Sequence, residues 1–140
     1  MTREARVLSG IILITAPTIQ HGRYFLLTSL VNRGSGYMEN PLRQNFFRAG
    51  NAHAGVIVIL SLVCQMLADA AVLPSPLIWL VRISMPLSVI LISAGFFFSM
   101  LSPTATQPKG TMSLIYTGAV ILAISVLTSA VGLLRVPRPA

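Results

Sequence analysis

Acidic side chains are scarce in this 140-residue chain: Glu4, Glu39 and Asp69 are the only three, and Cys64 is the only cysteine. The three carboxylates fall in three different surroundings, which leaves no paired general acid and base. A lone cysteine excludes an intrachain disulfide and a cysteine-based zinc cluster. Glycine-rich phosphate loops, metal-spaced clusters and a G-x-S-x-G elbow are missing as well. Charge of either sign makes up 9% of residues against 54% apolar. A water-soluble domain of this size cannot keep so much apolar side chain off its surface.

What is present is a set of four long apolar segments, at about 7–31, 50–73, 77–101 and 112–134. A hydrocarbon layer about 30 Å thick is crossed by roughly 20 helical residues, so each segment is long enough to span it. The expected fold is all-α: a polytopic membrane protein, one domain over 1–140, built as a compact four-helix transmembrane bundle with short loops. The remaining stretches, 32–49, 74–76 and 102–111, leave no room for an extramembrane domain. The basic start before 7–19 has the look of a secretory signal. The following TIQHGRYFLL offers no small-x-small cleavage site and returns at once to apolar residues, so the segment reads as a retained span.

The formal charge of +7 sits mainly at segment ends, on Arg3, Arg6, Arg33, Arg43, Arg48, Lys109, Arg135 and Arg138. With so little polar surface, nucleic acid is the wrong partner. Arginines at headgroup level meet anionic lipids instead, each worth about 1 kcal/mol. Pro41, with Asn40 as its cap, opens an expected interfacial helix at 41–48, in which Leu42, Phe46 and Phe47 lie in the boundary and Arg43 and Arg48 face lipid phosphates. The balance of basic residues is nearly even between the two sides. It tips slightly towards both termini in the cytoplasm.

Helical wheels expose seams of small residues, which let membrane helices approach closely. Gly10, Pro17, His21 and Thr28 share a face of the first segment, Ser84, Ser88, Gly95 and Ser99 one of the third, and Gly118, Ser125, Ser129 and Gly132 one of the fourth. The second segment carries a polar stripe instead. Asn51, Gly55, Ser61, Gln65 and Asp69 occupy an arc of about 120°, fit for helix contact or for lining a solute path. His53 and Cys64 lie about 200° to 220° from Asn51 on that wheel.

His21 and His53 fall at comparable depth on antiparallel neighbours, each beside glycine, an arrangement that suits the two axial ligands of a b-type haem. The alternative is a neutral histidine bonded to a carbonyl or hydroxyl. The expected function is thus a small non-enzymatic membrane protein acting by helix packing, as a homo-oligomer or as an accessory subunit of a larger membrane complex. Its alternatives are a haem- or quinone-associated redox protein using His21 and His53, and an oligomeric pore or transporter lined by Asn51, Gln65 and Asp69.

Two short stretches resemble known families. NAHAG at 51–55 resembles the histidine-x-histidine opening of the haem-copper oxidases, with Asn51 in the place of the first histidine. Four spans with a basic first connection and FRA at 47–49 are similar to the membrane-associated proteins of eicosanoid and glutathione metabolism. That resemblance implies trimers with glutathione bound between subunits. The family pattern continues with asparagine and then glutamate one turn on, where this chain has Ala52 and Gly55, with Asn51 one position early.

Overall fold

The computed structural model describes residues 1–135; Arg138, expected at a headgroup, lies outside them. Four helices account for most of the chain: α1 (Arg3–Val31), α2 (Pro41–Leu67), α3 (Ser75–Ser99) and α4 (Met112–Leu134). Each end has a local cause. Thr2 caps α1 by accepting from the Ala5 N–H at 3.2 Å, and Asn40 caps α2 by accepting from the Arg43 N–H at 3.0 Å, with Pro41 in the first turn where its missing donor costs nothing. Between α1 and α2 the chain reverses through Gly36, whose φ of 63° is the left-handed conformation that glycine adopts without strain.

The expected interfacial helix 41–48 and second span 50–73 are one continuous helix that stops at Leu67. Gly50 does not break it. A Cβ there would come 3.0 Å from the Phe96 Cβ and 3.2 Å from the Phe97 ring, so the glycine admits two aromatic side chains of α3 against the backbone. Past Leu67 the chain makes turns, and the Val72 N–H donates to the Gly132 carbonyl at 2.9 Å, tying the α2–α3 connection to the end of α4.

α2, α3 and α4 are each long and apolar enough to cross a membrane. α1 has the length, 29 residues, but is less apolar, with Arg3, Glu4, Arg6, Gln20, His21 and Arg23 along it. The helices pack in chain order, α1 on α2, α2 on α3 and α3 on α4, and among the described residues α1 and α4 do not meet. The expected all-helical bundle with short loops is thus arranged as an open row, in chain order.

The α3–α4 seam follows the small residues. Gly118, Ser125, Ser129 and Gly132 are the buried positions of α4, and Ser88, Gly95 and Ser99 are buried opposite them. A Cβ on Gly95 would sit 2.6 Å from Ile115 Cγ1, and one on Gly118 2.7 Å from Ile92 Cγ1. Ser84 and Ser125 hydrogen-bond across the seam.

α1 behaves differently. It turns Ala5, Ile12, Leu26 and Ser29 inward, with Ile19 half-buried against the same core. Ala5, Ile12, Ile19 and Leu26 are spaced by sevens, the repeat of a left-handed helix seam. The face expected to pack is the opposite one: Pro17, His21 and Thr28 are exposed, and a Cβ on Gly10 would meet nothing within 4 Å among the described residues. Closeness of approach was available on one face of α1 and apolar bulk on the other, and the core beneath Ala54, Val58 and Val89 takes the bulk.

Candidate functional site

Two proline-related features of α3 set up the polar contacts of the row. Pro86 lies inside the helix and has no N–H, so the carbonyl four residues earlier, that of Arg82, loses its helical partner. The Gln65 side chain of α2 fills the gap: its Nε2 donates to the Arg82 carbonyl at 2.8 Å. Pro74, preceding α3, turns the chain so that α2 and α3 run antiparallel. Residues about equally far from that turn then stand at one level, which sets Arg82 opposite Gln65, and the long Arg82 side chain reaches towards the turn to meet Asp69.

Arg82 is 4% exposed. Its guanidinium pairs with Asp69 Oδ1 and donates to Thr2 Oγ1 at 2.9 Å. Thr2 completes the clasp, its N–H donating to Asp69 Oδ2 at 2.6 Å and its hydroxyl to Oδ1 at 2.8 Å. The terminal ammonium stands 3.8 Å away. Burial alone would raise the Asp69 carboxyl; the two Thr2 hydrogen bonds, the Arg82 charge and the ammonium outweigh it and hold the group below its ordinary value. Chemically this is a satisfied carboxylate that fastens the start of α1 to the α2–α3 hairpin.

The polar stripe of α2 is therefore spent on three different neighbours. Asn51 is buried and faces α1, where a Cβ on Gly22 would lie 3.1 Å from its Oδ1. Gly55 lies under Arg23, with a guanidinium nitrogen 3.5 Å from where its Cβ would be. Gln65 reaches α3, and Asp69 serves the clasp.

The histidines stand apart from one another. His53 is exposed, its Nδ1 2.8 Å from the Ala49 carbonyl and its ring stacked on Phe96 of α3 at 5.2 Å. His21 is exposed on α1. The α1–α2 contact at this level is made by Gly22 and Asn51, so the two imidazoles do not face each other across it.

At the far end of the row, Arg43 serves the protein. Its Nε donates to the Met100 carbonyl at 3.1 Å and its guanidinium lies 4.7 Å over the Phe47 ring, the usual favourable placement of a cation at a helix C-terminus. Arg48 is exposed. Asn40, besides capping α2, donates to the Pro103 and Ala105 carbonyls at 3.0 and 2.9 Å and so pins the α3–α4 loop. Tyr37 is buried beneath these residues; burial pushes its hydroxyl above the ordinary value against the pull of Arg48 and Arg43.

α1 and α3 flank α2 and scarcely touch, which leaves a cavity of about 380 Å³ over α2. Ala54, Val58 and Ser61 form its floor, one face of α2 by their spacing. Ile12 and Ile19 stand on one side, Val89 and Ile90 on the other. Arg82 is the functional residue that the sequence does not single out; its signal was a charged side chain within an apolar span, four residues before Pro86. Comparison with family models, curated proteins and solved structures finds no match to this chain.

Proposed function

We propose that this chain is a four-span integral membrane protein that works by contact, with the outer face of α1 as the surface through which it joins a second copy of itself or a larger membrane complex. The observation that carries this is the polarity of that face. Pro17, Gln20, His21 and Thr28 are exposed, and Gly10 is open. His21 lies roughly 22 Å along α1 from Arg6 at 1.5 Å per residue, inside a layer about 30 Å thick. The Thr28 hydroxyl is spent on the Phe25 carbonyl at 2.9 Å, but hydrocarbon gives Gln20 and His21 no hydrogen-bond partners, whereas another helix does, and glycine lets it come close. Asn51, Gln65 and Asp69 act as internal helix contacts in this reading, and Arg48 meets anionic headgroups, with both termini on the cytoplasmic side.

The test is native mass spectrometry of the 15.0 kDa chain extracted in mild detergent. Multiples of that mass support self-association, and a defined co-purifying membrane subunit supports the accessory reading. Gly10→Trp and Thr28→Trp release monomer, while Val120→Trp, on an exposed position of α4, does not. A wild-type particle that is monomeric and free of partners overturns the proposal.

A further inference from the structure

Four hydroxyl-bearing residues line the cavity between α1 and α3: Thr15, Thr18, Ser61 and Ser93. Three have committed their protons to backbone carbonyls. Thr15 donates to Ile12 at 2.7 Å, Thr18 to Thr15 at 2.6 Å and Ser93 to Gly50 at 3.2 Å. Ser61 has not. It is fully buried, and its Oγ has no hydrogen-bond partner among the described residues, although a serine inside a helix ordinarily finds the carbonyl one turn back. An unspent donor in apolar surroundings costs free energy until an acceptor arrives. The rest of the lining is aliphatic, from Ile12 and Ile19 on α1 to Val89 and Ile90 on α3. A cavity of about 380 Å³ is of the size that holds a small molecule.

We propose that this cavity binds a lipid-borne apolar molecule bearing a carbonyl oxygen, which accepts from the Ser61 hydroxyl once the side chains covering that oxygen move aside, while its body lies between α1 and α3. The chemistry selects against charged ligands, which find no countercharge in the lining, and against purely aliphatic ones, which leave the Ser61 hydroxyl unspent. The carbonyl belongs either to a quinone ring or to an acyl ester of a lipid. Entry is from the bilayer side, where Ile11, Thr18 and Ile90 are exposed, an edge of α1 distinct from the Gly10–His21 face assigned to subunit contact. The proposal rests on the membrane reading of the chain and is independent of its oligomeric state.

The experiment uses the full chain in lipid nanodiscs with a diazirine-tagged fatty acyl methyl ester as photoprobe, with labelled residues mapped by peptide mass spectrometry. Labelling concentrates on the cavity edge at Ile11, Thr18 and Ile90. Short-tailed benzoquinone and untagged methyl ester compete, the stronger of the two identifying the source, and an alkane of equal length competes on the order of fivefold less well, the value of one hydrogen bond. Ala54→Leu fills the floor and removes the labelling. Ser61→Ala, which takes away one oxygen and leaves the helix intact, abolishes the preference over the alkane and keeps the proposal testable even if the leucine variant does not fold. Label scattered over all exposed helix faces, or a carbonyl preference that survives Ser61→Ala, overturns it.

Discussion

Replacing Gln65 by leucine removes the donor that the Arg82 carbonyl receives in place of the N–H that Pro86 lacks. Interhelical hydrogen bonds in membranes average about 0.6 kcal/mol and reach about 1.7. The carbonyl here has no helical alternative, which places Gln65→Leu at the upper end, at about 1–2 kcal/mol. Pro86→Ala changes the reckoning. Alanine restores the N–H four residues beyond Arg82, so the carbonyl is satisfied within α3 and Gln65 becomes dispensable. In that background Gln65→Leu costs about zero, and it turns stabilising if relief of the buried, unpartnered Gln65 Oε1 dominates. The two residues should therefore couple by at least about 0.5 kcal/mol in a double-mutant cycle. The assay is unfolding from mild detergent into increasing dodecyl sulfate, followed by circular dichroism, on the wild type, both single variants and the double variant. Equal cost of Gln65→Leu with proline or alanine at position 86 refutes the argument that the glutamine answers the proline.

Asp69→Asn leaves the buried Arg82 short of its carboxylate and is expected to destabilise by about 2–4 kcal/mol at neutral pH in the same unfolding assay. The Asp69 carboxyl is held below its ordinary value near 3.8, so its contribution is complete above that pH and is lost as pH falls through the lower folded value; the variant loses this part of the acid dependence. Gly95→Ala forces a methyl to within 2.9 Å of the Ile115 backbone nitrogen and costs about 1–3 kcal/mol, whereas Gly10→Ala meets open space and leaves monomer stability unchanged or higher by up to about 1 kcal/mol; equal losses would contradict the inward and outward assignment of the two glycines. Asn40→Ala removes a cap and two loop contacts, about 1–2 kcal/mol, with faster amide exchange over 101–111 as the local readout.

Much of the row was legible because its logic is local. In α3 and α4 the small residues lie on one face and bulk surrounds them, so the spacing of Ser88, Gly95 and Ser99 and of Gly118, Ser125, Ser129 and Gly132 leaves one way to pack. In α1 two periodicities compete. The face through Gly10, Pro17 and His21 permits close approach, the heptad through Ala5, Ile12, Ile19 and Leu26 offers apolar contact, and a wheel cannot say which neighbour is waiting. The continuity of α2 past Gly50 depended on Phe96 and Phe97, which belong to another helix. Arg82 was hidden for the same kind of reason. Four residues short of a proline, it reads as a basic residue near a span end until the fold shows that the same proline leaves its carbonyl to Gln65.

Synthesis proceeds from the amino terminus, and the clasp on Thr2 requires groups that lie 67 and 80 residues further along. At roughly 5–20 residues per second, a ribosome needs several seconds to deliver them. α1 is thus made before the groups that fasten its start, and the clasp closes only once Arg82 has emerged. Until then α1 is held by its packing on α2, and the order of synthesis sets the order in which its contacts form.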